Sequence, residues 1–447
     1  MASKSKRARL VKQRNLAKDF MYWAIAVFVI KLIIIGNVQG GAWLGADGEN
    51  YLTGYDAMVR DGIFSKESIL NYWPAGYPIF ILFLSVVGKS FVLTTLAVVQ
   101  SALFSFSVYF FAAQLIKTRL KKFAYLAFFM ILFNPTLSLS SIAVGYESPA
   151  AAGYLLVTGL IIKDFIQKDD KKLLPYIAVS SLIFGLLTFM QPRLIVSGIL
   201  INILWIFIRK PWKSSSLLVA ISLATTLFFP ATLIFRNNQA TGQNSISSNL
   251  GVTMNIGAGD RAKGGYATKD IGVSCSQSGT QSEQDNQLVR CVVDWYLANP
   301  AKALKLFYNK SLYFWSPWSG PLANGTMARN PWLKISPIKD IAENSPDGNK
   351  LVFGTAGKLI SWVWLLGGVV VALYGFIVLW RSRAIERVIG SVATIAIASS
   401  WLITLISIGD HRFRLPIMGM SLFLQAVGIR TLFKGGKPPM VDGPALR

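Results

Sequence analysis

Histidine and cysteine are almost missing from this chain, one of the former and two of the latter in 447 residues. A Cys/His zinc site is therefore excluded on ligand count, although carboxylates could still hold a hard cation. A Ser-His-Asp hydrolase would have to use His411, and no nucleophile-elbow motif accompanies it. There is no phosphate-cradling P-loop, and the run Gly257-Ala258-Gly259 through Gly264-Gly265 lacks the strand-loop-helix setting of a nucleotide fold, so ATP-driven transport is disfavoured. No internal repeat and no low-complexity tract stands out. Charge is scarce too: 15% of residues are charged against 53% hydrophobic, a balance that does not suit a soluble globule. The expected fold class is an all-α polytopic membrane protein.

The charge that is present is mostly positive, 45 Lys and Arg against 21 Asp and Glu, a net +24. In a soluble domain this would point to nucleic acid, but here the basic residues fall between apolar spans and orient the chain in a bilayer. Aromatic clusters such as Tyr313-Phe314-Trp315-Ser316-Pro317-Trp318 suit a headgroup-level belt better than a base-stacking surface. No nucleic-acid partner is expected.

About 20 apolar residues are needed to cross a bilayer, and that requirement predicts ten spans near 19–38, 91–116, 123–143, 149–165, 173–190, 194–208, 215–235, 357–380, 387–408 and 415–433. The tail 1–18 carries Lys4, Lys6, Arg7, Arg9, Lys12, Arg14 and Lys18, which places it in the cytoplasm, and its long apolar stretch without a clear cleavage site does not read as a cleaved signal. Alternate connections are then basic, as the rule requires: Lys117 to Lys122, Lys168 with Lys171 and Lys172, Arg209-Lys210 with Lys213, Arg381 with Arg383 and Arg387, and Lys434 with Lys437. This register needs 75–88 to be an interfacial helix and not a crossing, which leaves 39–90 as an external loop. The predicted organisation is a cytoplasmic tail 1–18, a transmembrane catalytic module 19–235, an extracytoplasmic subdomain 236–356, C-terminal spans 357–433 and a cytoplasmic tail 434–447. Both cysteines, Cys275 and Cys291, lie in the subdomain, where compartment permits a disulfide worth about 3 kcal/mol for a short loop; the alternative is two unpaired thiols. Asn324-Gly325-Thr326 is formally a glycosylation sequon, a pattern frequent by chance.

With this topology four polar sets converge on the external face. Asp47 and Glu49 follow the first span, Tyr146-Glu147 joins the third and fourth, Gln191-Pro192-Arg193 joins the fifth and sixth, and His411-Arg412-Phe413-Arg414 precedes the tenth. Singly each has an ordinary reading as a solvated carboxylate, a helix-capping Glu or a snorkelling Arg. Together they mark a site, because charge held near hydrocarbon is costly.

These residues resemble the GT-C class of membrane glycosyltransferases, in the branch of the protein mannosyltransferases and lipid A aminoarabinose transferases. The likeness runs through the acid of the first external loop at Asp47 and Glu49, Trp73-Pro74-Ala75-Gly76-Tyr77-Pro78, and Asn134-Pro135 to Glu147-Ser148-Pro149. It continues through Arg236-Asn237, Asn249-Leu250-Gly251 to Gly265-Tyr266, and Asn299-Pro300 to Lys310 and Trp315. It ends at Arg412-Phe413-Arg414-Leu415-Pro416, similar to an Arg-Tyr-Arg-Leu-Pro signature. The chain departs from the family's Arg-Pro in reading Gln191-Pro192-Arg193. The resemblance implies a polyprenyl-phosphate sugar donor, a glycan, lipid or protein acceptor, and a site on the extracytoplasmic side of the cell membrane. It leaves the sugar unnamed. No cofactor is required by the sequence; Asp47 and Glu49 are the candidates if a divalent metal is used, because Asp47-Gly48-Glu49 resembles the Asp-x-Asp motif of some members while others work without metal.

The chemistry assigns roles within that resemblance. A departing lipid phosphate gains charge that fixed cations stabilise, for which Arg412 and Arg414 are the first candidates, with Arg193 and His411 beside them. The acceptor hydroxyl must lose a proton, and Asp47 is the expected base, with Glu147 or Glu49 supporting the anomeric centre or the acceptor. Tyr51, Tyr72, Trp73 and Tyr77 would line the groove. The competing class is a secondary transporter or lipid flippase, which would carry ionisable or broken-helix features near the midplane; Lys31 is the one obvious charge inside a span. A non-catalytic membrane scaffold is the third reading.

Overall fold

The computed structural model describes residues 2–44, 47–266, 272–316, 355–382 and 385–433, with side chains through residue 14 left aside. The end of the aromatic run at Trp318, the sequon at Asn324, Arg383, and the tail with Lys434 and Lys437 lie outside the described residues, as does the subdomain beyond residue 316. The protein is an all-α polytopic membrane protein. Its N-terminal half runs α1 (Ala2–Asn37), α2 (Gly48–Asp61), α3 (Ile69–Tyr72), α4 (Gly76–Leu84), α5 (Val92–Leu115), α6 (Lys121–Leu132), α7 (Pro135–Leu139), α8 (Glu147–Gln167), α9 (Asp170–Met190), α10 (Ile195–Arg209) and α11 (Trp212–Thr241). Then follow α12 (Leu250–Ile256), α13 (Gln281–Ala298), α14 (Pro300–Phe314), α15 (Thr355–Arg381), α16 (Ile385–Ile406) and α17 (Met418–Phe433).

Among the described residues nine helices are long and apolar enough to cross a membrane, and α6 with the segment through Ile142 makes a tenth if that bent pair counts as one span. The expected third span is thus not straight. Its two halves meet at 58°, because Pro135 offers no N–H to the preceding turn and Asn134 instead caps α7, its side-chain oxygen accepting from the Leu137 N–H at 2.9 Å. The apolar helix Gly76–Val87 is shorter than a span, and its end exposes Phe83, Val86 and Val87, as a segment resting in lipid would.

Where helices cross, small residues permit close approach. A Cβ on Gly76 would lie 1.9 Å from the Phe189 carbonyl oxygen, so only glycine lets α4 sit on the end of α9. Likewise, a Cβ on Gly375 would lie 2.0 Å from the Leu424 carbonyl oxygen, which brings α15 against α17.

Buried charges are tied to specific partners. Asp164 on α8 accepts from the Arg209 Nε at 2.8 Å and the Trp205 indole N–H at 2.9 Å, stapling α8 to α10. Lys31, the charge inside α1, donates to the Ser141 hydroxyl at 3.0 Å, with the Phe104 ring 4.4 Å away, and Ser141 also bonds Ser101 at 3.0 Å. It braces the bent segment that leads to Glu147 and needs no transport role to account for it.

The subdomain is small and helical. Asp285 on α13 caps α12, accepting from the Gly251 N–H at 2.7 Å, and Cys275 is disulfide-bonded to Cys291. Lys310 on α14 is buried, donating to the Leu405 carbonyl at 2.9 Å and the Tyr296 hydroxyl at 2.7 Å. It thereby satisfies the end of α16, where carbonyls lack helical partners, while burial lowers its own pKa to about 7.

Asp164→Asn is expected to lower stability by about 3 kcal/mol, because it leaves the largely buried Arg209 guanidinium with only the exposed Asp170 as a carboxylate partner. Thermal unfolding in detergent checks this: Asp164→Asn/Arg209→Met should recover most of the loss, and a single variant as stable as the wild type would show the staple to be dispensable.

Candidate active site

Two short parallel strands set the geometry. β1 (Trp43–Leu44) pairs with β2 (Ala143–Val144) in the register Trp43 with Ala143 and Leu44 with Val144. Each strand is followed three residues later by an acid, Asp47 before α2 and Glu147 as the first residue of α8. The two carboxylates, a hundred positions apart in the chain, act on one another electrostatically and both stand at helix starts, where negative charge is favoured.

The loop bearing Glu147 is fixed from beneath by Tyr77. Its hydroxyl accepts from the Gly145 N–H at 2.8 Å and donates to Gln100 Oε1 at 3.1 Å, and Gln100 Nε2 donates to the Ala143 carbonyl at 3.0 Å. Burial holds the phenol well above its ordinary pKa, so it stays an O–H donor. Tyr77 is a support for the acid loop and reaches Tyr51 by ring contact, the centroids 4.8 Å apart. Tyr51 also meets Trp73 at 6.3 Å, and Trp73 meets the half-buried Tyr72 at 5.7 Å. The four aromatics expected in a groove form one continuous set.

From the far end of the sequence, a 3-10 turn spanning His411–Ile417 brings Arg412 to Asp47, with Nη2 3.0 Å from Oδ2. Asp410 caps this turn. One of its oxygens accepts from the Arg412 N–H at 2.9 Å and the other lies 3.7 Å from Arg412 Nε, so one carboxylate orients the arginine at both its main chain and its guanidinium. His411 Nδ1 is 3.7 Å from the same carboxylate.

Arg193 stands in the 3-10 turn Pro192–Leu194, its guanidinium 3.8 Å from the Phe413 ring centroid and 5.2 Å from that of Tyr146. These are cation-π distances. They cover the faces of the guanidinium, and its N–H edges make no hydrogen bond with the described residues. Glu147 Oε1, the Tyr51 hydroxyl and the Tyr146 hydroxyl are buried with no hydrogen-bond partner among the described residues. Burial first, then the charges of Asp47 and Glu147, raise the Tyr51 phenol well above its ordinary value, against the opposing pull of Arg412 and Arg193. Tyr51 is accordingly a neutral hydroxyl beside Asp47, Arg412 and Arg193, and burial also raises the Glu147 carboxyl, to about 8.

The remaining expected residues are placed differently. Glu49 is exposed on the first turn of α2. Arg414 is buried and turned to main-chain carbonyls, those of Ser316 and His411. Arg236 clamps the 63–71 loop, donating to the Ile63 carbonyl at 3.0 Å, the Asn71 side chain at 3.2 Å and the Ser65 carbonyl. Among the described residues no three His, Cys, Asp or Glu side chains are grouped as metal ligands, and of the metal candidates Asp47 faces Arg412 while Glu49 faces outward. Sequence reasoning missed Asp410 as part of this site, and it placed Tyr146 and Phe413 in the converging sets without giving either a role. An Asp directly before His411-Arg412 is a helix-cap signal, and it was the one available clue to Asp410.

No protein-family profile matches the sequence, and no curated protein matches it. In fold, the chain is similar to the archaeal oligosaccharyltransferase AglB from Archaeoglobus fulgidus in complex with an inhibitory peptide and a dolichol-phosphate, with a TM-score of 0.47 and 14% identity over 92% of this chain and 50% of that one. The oligosaccharyltransferase from the same organism in the apo form gives a TM-score of 0.48 and 14% identity over 92% of this chain and 51% of that one. The chain spans about half the length of these structures.

Tyr77→Phe removes the acceptor of the buried Gly145 N–H, and the unpaired group should cost about 1–3 kcal/mol. Denaturant or thermal unfolding measures this, with Tyr72→Phe as the control expected to change nothing; equal stability of both variants would remove Tyr77 from the support of the acid loop.

Proposed function

We propose that this protein is a glycosyltransferase that moves a sugar from a polyprenyl-phosphate donor to an acceptor hydroxyl at the extracytoplasmic face of the cell membrane. The observation that carries the reading is a set of unspent polar groups, the Glu147 Oε1 and the Tyr51 hydroxyl, buried beside an Asp47–Arg412 ion pair and an arginine with open N–H edges. A buried polar atom without a partner costs about 1–3 kcal/mol, so such a group gathers with others where a ligand supplies the missing bonds.

Arg193 is the cation suited to the donor phosphate. Phe413 and Tyr146 hold its plane, and its edges are available for charge-assisted hydrogen bonds to phosphate oxygens. As the bond between the anomeric carbon and the phosphate oxygen breaks, the electron pair stays with the leaving lipid phosphate, and a fixed guanidinium stabilises that growing charge. The acceptor oxygen forms the new bond to the anomeric carbon and gives up its proton to Asp47. Arg412 holds Asp47 by Oδ2, which leaves Oδ1 as the oxygen that takes the proton. Glu147 and Tyr51 bind hydroxyls of the sugar or acceptor. The aromatic set Tyr51, Tyr72, Trp73 and Tyr77 forms the apolar wall, and the short helix Gly76–Val87 offers the lipid chain a path at headgroup depth. Extracytoplasmic placement rests on the basic connections between alternate spans. Arg414 and Arg236 serve the architecture and stand outside the donor site in this reading, as does Glu49.

Transfer of radiolabelled sugar from polyprenyl-phosphate donors to membrane extracts, with the product identified, tests the proposal. Asp47→Asn should lower the rate by about a hundredfold or more, the range expected for a lost general base. Arg193→Met should weaken donor use by about ten- to a hundredfold, corresponding to lost hydrogen bonds to a charged group, and should act through KM. Glu49→Gln should remain active. Asp47→Asn, Glu147→Gln and Arg193→Met that all keep wild-type transfer would overturn the glycosyltransferase reading.

A further inference from the structure

α14 is amphipathic in an unusual sense. Ala303, Leu306, Lys310 and Phe314 are its buried face, and the opposite face is apolar as well. Ala301, Leu304, Tyr308 and Leu312 follow at steps of three, four and four residues, which places them on one side of a helix. Leu304 is 68% exposed and Tyr308 64%, with Leu312 also exposed. A stripe of this kind on a segment outside the candidate spans calls for a partner.

The packing of the buried face says what lies against the other one. Lys310 reaches the last carbonyls of α16, and the Ser311 hydroxyl accepts from the Trp401 indole N–H at 3.1 Å. Trp401 stands five residues before the end of the span at Ile406, about 7 Å along the helix axis. Trp315 stacks edge-on with Trp401 at 6.2 Å. The C-terminal half of α14 is therefore held at the depth of the mouth of α16, not above it. Next to this contact α16 exposes Leu402 and Ile406, which belong to the lipid-facing surface of a membrane span. The stripe on α14 is exposed on the helix that makes this contact, one residue from Ser311 at Leu312. Its first half also carries exposed Lys302 and Lys305, and α14 contains no acid. Basic residues beside an apolar stripe reach headgroup phosphates while the stripe enters the acyl boundary.

We infer that α14 is seated in the lipid leaflet on the acid-bearing face of the protein, with Leu304, Tyr308 and Leu312 in contact with acyl chains and Lys305 at the phosphates. The consequence reaches the site. α14 and the residues just after it both touch the arginine turn or its approach, a Cβ on Gly409 falling 2.4 Å from the Lys310 carbonyl oxygen and Arg414 donating to the Ser316 carbonyl. A helix anchored in the leaflet fixes the height of that turn relative to headgroups. This inference rests on packing and exposure alone and is independent of the reaction proposed above.

Site-directed spin labelling of the full chain in phospholipid nanodiscs tests it. Single cysteines replace Leu304, Tyr308 and Leu312, while the native pair is disulfide-bonded and unreactive. Leu402→Cys is the lipid reference and the exposed Asn286→Cys on α13 the water reference. The ratio of collision with oxygen to collision with a water-soluble nickel chelate should be severalfold higher at 304, 308 and 312 than at 286, and close to that at 402. High nickel access at the three positions would overturn the inference in favour of a solvated helix. Shielding from both reagents would overturn it in favour of a protein cover, and short label-to-label distances at 308 would identify that cover as a second copy. Because three positions sample one stripe, loss of any single variant to misfolding leaves the other two to decide.

Discussion

The Asp47–Arg412 ion pair joins the beginning of this chain to its end, and most of the site depends on it. A guanidinium and a carboxylate at the edge of a bilayer are each costly to desolvate, and neither element could present its charge there alone. Pairing them fixes α2 against the turn before α17. Asp410 then makes the arginine rigid by accepting from its main chain and approaching its side chain. Because the first arginine of the turn is thereby occupied with carboxylates and Arg414 with carbonyls, the arginine left open among these three is Arg193, contributed by a different connection and held by rings, with no hydrogen bond to the described residues.

The same economy of charge runs through the bundle. Lys31 ends on Ser141, Asp164 on Trp205 and Arg209, Arg236 on a ring of loop acceptors, and Lys310 on the frayed carbonyls of α16. Each of these costs desolvation and returns a fixed geometry, since a polar group in a low-dielectric setting has few ways to be satisfied. Against that background the atoms left without partners stand out. Tyr51, Tyr146 and Glu147 gather such atoms around the ion pair and Arg193, while others, among them those of Ser105, Thr188 and Glu386, lie singly on α5, α9 and α16.

The subdomain is linked to this arrangement by main-chain contacts as well as by side chains. Gly264 meets Gly409 backbone to backbone, and a Cβ on Gly409 would lie 2.4 Å from the Lys310 carbonyl oxygen. Such seams need glycine because any side chain would part the surfaces. They transmit the position of α14 to the arginine turn with little slack.

The sequence by itself determined the membrane class, the location of nearly every span, the shortness of the Gly76–Val87 helix and the convergence of polar residues on one face. Those follow from the length and polarity of segments, which a bilayer constrains almost independently of neighbours. It determined that both cysteines share one segment, and that segment holds them close enough to bond. Only the tertiary structure decided which charges are free. Arg193, Arg412 and Arg414 are equivalent as letters, and so are Asp47 and Glu49; their roles differ because one arginine meets rings, one meets carboxylates and one meets carbonyls, while the two acids sit on different sides of a helix start. The bend at Asn134-Pro135 was visible as a motif but not as an angle. The pairing of Trp43-Leu44 with Ala143-Val144 carries no local signal at all, because two-residue strands have no periodicity to read, and it is this pairing that sets Asp47 beside Glu147. Which group is spent and which is available is a property of distances between remote segments, and distances of that kind are fixed by packing.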